Sequence, residues 1–94
     1  MDFGQAHAVL KNGGRVTRDG WNGRGMWVAL SPGFVIGPDR VFAEPIRDEL
    51  LARGSDGVFR SYLMMCTADG EFVPWVASQT DLLAEDWRTQ ELPF

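Results

Sequence analysis

Two apolar runs, VFRSYLMMCT (58–67) and EFVPW (71–75), are separated only by Ala68-Asp69-Gly70. Asp-Gly supplies the backbone freedom of a tight turn, and alternating apolar runs on either side make it the strongest short-range signal for a β-hairpin. An antiparallel pair is therefore built into the chain, and the remaining elements must extend it and cover it. Pro74 lacks a backbone donor, which places it at a sheet edge, a bulge or the end of its strand.

Two more strands are expected, RVTR (15–18) and MWVALS (26–31). In the second, Met26, Val28 and Leu30 alternate with Trp27 and Ala29, as in a strand covered on both sides. Helices bracket these strands. Asp2 with Gln5 three residues on reads as a capping box; Phe3, Ala6, His7 and Leu10 follow at helical spacing, and Asn12-Gly13-Gly14 stops the helix. His7 falls on or beside the apolar face, as a packed or half-exposed histidine rather than a catalytic one. PGFVIGPDRVFAEP (32–45) holds three prolines and two glycines and reads as an irregular excursion, followed after Pro45 by a short helix, IRDELLARG, stopped by Gly54. Residues 77–87, ASQTDLLAEDW, predict a last helix opened by Ser78 and Asp81, with Leu82, Leu83 and Trp87 on its apolar side. The fold class is α+β: a small antiparallel sheet with short N-terminal, middle and C-terminal helices. At 94 residues it is one domain, 1–94, with modest burial unless subunits associate. Four tryptophans are many for so small a body, and oligomer interfaces or ligand pockets are natural places for some of them.

Charge and composition narrow the function. Residues 1–24 hold Lys11, Arg15, Arg18 and Arg24 against Asp2 and Asp19, whereas residues 25–94 hold five arginines against eleven carboxylates. A net charge of −4 is poorly suited to long nucleic acid, where affinity grows with the number of phosphates neutralised. A compact basic patch can still hold a small anion, and arginine's planar fork suits phosphate. No apolar run is long enough for a membrane span, and MDFGQAHAVLKNGG lacks the character of a secretion signal. One cysteine, Cys66, and one histidine cannot form an internal disulfide or a structural zinc site, so no metal is expected and a reducing cytosol is the simplest compartment.

Signatures of catalysis are missing: no nucleophile elbow, no P-loop, no zinc-protease helix, and RDGWNGRG precedes a strand rather than a helix. Asp81, Glu85 and Asp86 cluster near the last helix. Asp81 and Glu85 would share a helical face, able to hold a metal or do acid-base work, or simply to favour the helix dipole. Binding signatures are fuller. TRDGWNGRG (17–25) sets Trp21 in the most pliable stretch of the chain, followed by Asn22 and the amides of Gly23 and Gly25. Trp75 is followed by Ser78, Gln79, Thr80 and Asp81. An aromatic platform, an anion seat and short polar side chains are the parts of a nucleotide pocket. Both tryptophans could equally pack the core, with Ser78 merely a cap.

MDFGQAHAVLKNGGRVTRDGWNGRGMWVAL resembles the opening of a family of small phage and prophage proteins, of the form F-x-x-A-L-x-x-L-K-x-G followed by V-x-R-x-x-W-N-G-K-x-M-W/Y. ADGEFVPWVASQTDLLAEDW is similar to that family's W-x-P-S-Q-x-D-x-L-A-x-D-W ending. The family includes the second type of Thoeris anti-defence protein. Such proteins, the resemblance implies, are sponges: they bind the cyclic ADP-ribose isomer that triggers Thoeris immunity and do not cleave it. It further implies homotetramers with ligand pockets at subunit junctions, uptake of cyclic dinucleotides by some members, and a place in the cytoplasm of the infected bacterium.

Carried over by position, Trp21, Asn22 and Gly23 stand on the family's W-N-G, Met26 and Trp27 on its M-W/Y, and Trp75, Ser78, Gln79 and Asp81 on its second block. Arg24 replaces a common lysine and keeps the charge. Ala77 replaces a usual proline and His7 a typical leucine; residues 32–57 have no counterpart that can be placed. The expectation is a cofactor-free, non-enzymatic protein that sequesters glycocyclic ADP-ribose. Trp21 and Trp75 would stack on or wall in base and ribose, Arg18 or Arg24 with glycine amides would meet the pyrophosphate, and Ser78, Gln79 and Asp81 would hold hydroxyls. A nucleotide-degrading enzyme and a phage protein-interaction module are the alternatives.

Overall fold

The computed structural model describes residues 1–21 and 25–90 of the chain. In chain order its elements are helix α1 (Phe3–Lys11), strands β1 (Val16–Arg18), β2 (Trp27–Ser31) and β3 (Phe34–Ile36), a 3-10 turn at Pro38–Arg40, helix α2 (Glu44–Arg53), strands β4 (Gly57–Phe59), β5 (Tyr62–Cys66) and β6 (Phe72–Pro74), helix α3 (Gln79–Leu83) and strand β7 (Trp87–Thr89). Their contacts gather into two compact units, one made of residues 1–31 with the chain from 62 onward, the other of residues 32–61.

The first unit carries a five-stranded antiparallel sheet in the order β6-β5-β2-β1-β7. The hairpin closes as the sequence predicts: Gly70 turns at φ 82, the Thr67 amide donates to the Glu71 carbonyl at 2.8 Å, and Pro74 ends the edge strand. Register decides the faces. Val16 lies opposite Val28 and Val28 opposite Met65, so these three share one face; Trp27 lies opposite Cys66 on the other. On the first face α1 packs against β7, β2 and β1, burying Ala6 and Leu10 on Val16, Val28, Met65 and Trp87. Burying Leu10, Val16, Val28 and Met65 contributes about 1.5–3 kcal/mol for each side chain. The expected capping box opens α1: the Gln5 amide donates to the Asp2 carboxylate at 2.8 Å and the Asp2 amide to Gln5 Oε1 at 2.9 Å.

The second unit pairs β3 with β4 and contains α2, whose Leu50 is buried. Gly54 ends α2 in the left-handed conformation (φ 67), where a side chain would be strained. Among the described residues, no helix is long and apolar enough to cross a membrane.

Three expectations are corrected. The run 58–67 is not one strand: Gly57–Phe59 pairs with β3, whereas Tyr62–Cys66 pairs with β2. The partner strand β2 ends at Ser31, before a proline that cannot donate, so the sheet offers no ladder for a ten-residue strand. The excursion 32–45 contains β3 and the 3-10 turn, and α2 begins at Glu44, with Pro45 inside its first turn, where the missing N–H leaves no bond unmade. Finally, the last helix stops at Leu83. Ala84 is extended, Trp87 belongs to β7, and Leu82 and Leu83 are exposed instead of forming an apolar helix side. As a strand residue opposite Arg18, Trp87 is only 2% exposed and fills the core.

Candidate functional site: an aspartate hub walled by tryptophans

Asp81 is the centre of the arrangement. The five residues of α3 are too few to hold a helix by propagation, so the cap carries much of the local order. Ser78 Oγ accepts the Asp81 amide at 3.1 Å, and Asp81 Oδ2 accepts both the Ser78 amide (3.1 Å) and the Ser78 hydroxyl (2.9 Å). Aspartate thus does the work of the usual Glu or Gln. The other oxygen, Oδ1, faces the sheet, where it accepts from Arg18 Nη1 at 2.9 Å and from the Trp21 indole N–H at 3.2 Å. All four bonds fall on one nearly buried carboxylate.

Arg18 reaches the hub from the end of β1 and divides its guanidinium between two carboxylates. While Nη1 bonds Asp81, Nε donates to Asp86 Oδ1 at 2.8 Å. Asp86 also accepts the Gly20 amide at 2.8 Å, and its carbonyl accepts the Asp19 amide at 3.2 Å. The Trp21 amide closes the turn on the Arg18 carbonyl at 3.2 Å. A Cβ on Gly20 would stand 2.7 Å from Asp86 Oδ2, so glycine is what lets backbone and carboxylate meet.

Three indoles surround this network edge to face. Ring centroids are 5.3 Å apart for Trp21 and Trp87, 6.2 Å for Trp21 and Trp75, and 6.1 Å for Trp75 and Trp87. Phe3 of α1 adds an edge contact to Trp87 at 5.5 Å. Each such pair adds about 0.5–1.5 kcal/mol beyond area burial. Trp87 is interior and donates its N–H to the Asp81 carbonyl at 2.9 Å; Trp21 and Trp75 are half-buried, packed on the core while keeping part of each ring at the surface.

Electrostatics follow from these contacts. Burial alone would push the Asp81 carboxyl up, but hydrogen bonds from Arg18, Ser78 and Trp21 outweigh it and hold the group below the usual carboxylate range. The Arg18 hydrogen bond does the same for Asp86, helped by the Gly20 amide. Arg18 is raised in turn, by Asp86 first and Asp81 second. Arg88 pairs with Asp19 at the surface, 2.6 Å from Nε to Oδ1. Two arginines here face three aspartates, so the described charges close to Trp21 do not form a strong anion seat.

Beside Trp21 lies a cavity of about 230 Å³, bordered among others by Thr17, Met26, Arg88 and Gln90. Thr17 donates its hydroxyl to the Met26 carbonyl at 2.7 Å, while buried Gln90 Oε1 finds no donor among the described residues. A larger concavity of about 430 Å³ lies in the second unit against Pro38, Leu50, Leu51 and Asp56, and it offers neither an aromatic ring nor a cation for a nucleotide.

The residues singled out from the sequence are thus divided. Arg18, Trp21, Trp75, Ser78 and Asp81 come together. Met26 borders the cavity, and Gln79 is exposed at the start of α3. Trp27 is not with them: it lies on the opposite sheet face, with Arg15 3.9 Å over its ring and Phe72 edge-on at 5.9 Å. Asn22, Gly23 and Arg24 lie outside the described residues. Of the expected carboxylate cluster, Asp81 and Asp86 do meet, but on Arg18; Glu85 follows the end of α3 and shares no helical face with Asp81. Among the described residues, no group of three or more acidic, histidine or cysteine side chains is placed to hold a metal ion. Trp87 is the functional-site residue that helical spacing places in the wrong element. Its N–H bond to the turn of α3 is a long-range consequence of strand pairing, which helical spacing could not reveal.

Comparison with known proteins places the chain in a family. Residues 1–89 match the family model described as the Thoeris anti-defense 2-like domain. The chain is also 40% identical, over 89 residues, to Thoeris anti-defense 2 of Bacillus phage SP01, an alignment covering 93% of this chain and 91% of that protein. With the match spanning both sequence blocks and the segment between them, the chain belongs to the Thoeris anti-defense 2-like family.

Proposed function

We propose that this protein counters Thoeris immunity by sequestering its cyclic nucleotide signal, glycocyclic ADP-ribose, and that it takes up cyclic dinucleotides by the same stacking chemistry. One observation carries the reading: Trp21 and Trp75 meet edge to face and half-exposed, with Trp21 anchored on a saturated hydrogen-bond hub. A flat apolar wall of fixed orientation suits a purine, and stacking a base on such a wall contributes about 1–3 kcal/mol. Because Arg18 is already shared by two carboxylates, the anionic part of the ligand is met chiefly by other groups. Arg24 supplies one such charge from the sequence, and Arg88 at the cavity rim would have to leave its surface bridge to Asp19 to supply another.

The site is completed by a second copy. At about 230 Å³ the protomer's cavity falls below the roughly 300 Å³ at which small-molecule pockets usually begin. Val76, Leu82 and Leu83, chain neighbours of Trp75 and Asp81, are 90%, 48% and 79% exposed. Exposed apolar side chains next to Trp75 and on α3 fit a homo-oligomer, a tetramer in this reading, with ligands at subunit junctions in the host cytoplasm. Binding without turnover is favoured by the carboxylates themselves. Asp81 and Asp86 are held ionised and engaged, so neither is poised near neutral pH as a general acid.

A thermal-shift titration with glycocyclic ADP-ribose and cyclic dinucleotides tests the reading. Ligand at about a hundred times its Kd should add about 2.7 kcal/mol of stability. Heating the loaded protein and analysing the released molecule separates the alternatives. Intact ligand supports a sponge, hydrolysed product in more than stoichiometric yield supports an enzyme, and no shift with any cyclic nucleotide favours a protein-interaction module.

A further inference from the structure

Among the described residues the Asp86 carboxylate bonds none of the indoles, yet it is the piece that ties the wall to the sheet. We propose that Asp86 is a positioning residue for the ligand site: by holding Arg18 and the Gly20 amide together it sets the course of residues 18–21 and so the orientation of the Trp21 indole. This rests on the nucleotide-binding reading above and adds a residue and a mechanism to it.

The geometry is that of a clasp. Asp86 stands just ahead of β7, the edge strand whose Trp87 pairs with Arg18. From there one residue holds three successive positions of the opposing turn: the Arg18 side chain (2.8 Å), the Asp19 amide through its own carbonyl (3.2 Å), and the Gly20 amide (2.8 Å). Trp21 comes next, and its two polar anchors both depend on Arg18. Its amide donates to the Arg18 carbonyl, and its indole N–H shares Asp81 Oδ1 with Arg18 Nη1. Without the Asp86 carboxylate the guanidinium keeps only Asp81 and the Gly20 amide loses its partner, while the Asp19 amide keeps the main-chain carbonyl of residue 86. Nothing else among the described residues bonds the Gly20 amide. The Asp86 side chain is itself about a third exposed, so replacing it leaves the packed core intact.

The test compares Asp86→Ala, Asp86→Asn and Gly20→Ala with the wild type in the full chain. Three readouts are used: thermal stability, affinity for glycocyclic ADP-ribose by calorimetry, and the tryptophan exciton couplet in far-ultraviolet circular dichroism. That couplet sums the three closely spaced indole pairs, two of which, with Trp87 and with Trp75, depend on the angle of the Trp21 ring. Asp86→Ala should lower affinity about ten- to a hundred-fold, the scale set by one or two charge-assisted hydrogen bonds, and should diminish the couplet. Asp86→Asn keeps an acceptor for the Gly20 amide and should recover part of both. Gly20→Ala should mimic Asp86→Ala through its close approach to Oδ2, and the two changes should be non-additive when combined. An unchanged affinity and couplet in Asp86→Ala would overturn the proposal, as would strictly additive effects. If the wild type binds no cyclic nucleotide, the functional reading fails on its own. The couplet then decides the positioning role: its reduction in Asp86→Ala upholds the clasp and an unchanged couplet overturns it.

Discussion

Replacing Asp81 by alanine should be among the most damaging single changes outside the apolar core, and its size can be worked from the hydrogen bonds. The carboxylate accepts from Arg18, Trp21, the Ser78 amide and the Ser78 hydroxyl, with a side chain only 12% exposed, so solvent screening discounts little. Removing one partner of a buried ion pair costs about 3–5 kcal/mol. Arg18 keeps Asp86, which places the loss at the lower end, about 3 kcal/mol, with the cap bonds included. A domain of this length has about 5–14 kcal/mol in total, so the variant should stay folded but melt about 12–24 °C lower. Thermal and urea unfolding at one fixed protein concentration give the number, because association would otherwise move the midpoint. The charge component has its own signature: in acid, where the wild-type carboxyl is protonated, the gap between the two proteins should narrow. A loss at neutral pH below about 1 kcal/mol, the scale of an exposed ion pair, would refute the hub.

Other expectations follow from the same contacts. Because Asp81 and Asp86 sit below their unfolded values, their contribution to stability is complete above about pH 5 and is lost as pH falls through the folded values. Acid titration of the wild type should therefore show a steeper loss than Asp86→Asn, and matching curves would count against it. Ser78→Ala removes the cap of a five-residue helix and should cost about 0.5–2 kcal/mol by urea unfolding. Trp75→Ala should weaken cyclic nucleotide binding by about 1–3 kcal/mol beyond any change in fold, measured by calorimetry below the melting range. Trp27→Ala, on the opposite sheet face, should change that affinity far less; an equal loss would mean the ligand reaches both faces.

Local chemistry made much of this protein legible from its residues. Asp69-Gly70 between alternating runs dictated the β5–β6 hairpin, Asp2 with Gln5 dictated the start of α1, and Ser78 with Asp81 dictated the start of α3. Each depends on groups within a few positions of one another, so spacing alone carries the information. Trp21 and Trp75 stood out as residue types set beside short polar side chains, and their rings do meet edge to face, with Trp21 bonded to Asp81. What tertiary structure decided is whatever depends on strand partnership. Run 58–67 breaks because β2 offers ladder only as far as Ser31, and Trp87 leaves its helical pattern because β1 offers an edge and a core to fill. Trp27 falls on the far face through a register that no local rule specifies. Arg18, readable as a free cation, is consumed by two carboxylates sixty-three and sixty-eight positions away, an encounter that only the folded sheet can arrange.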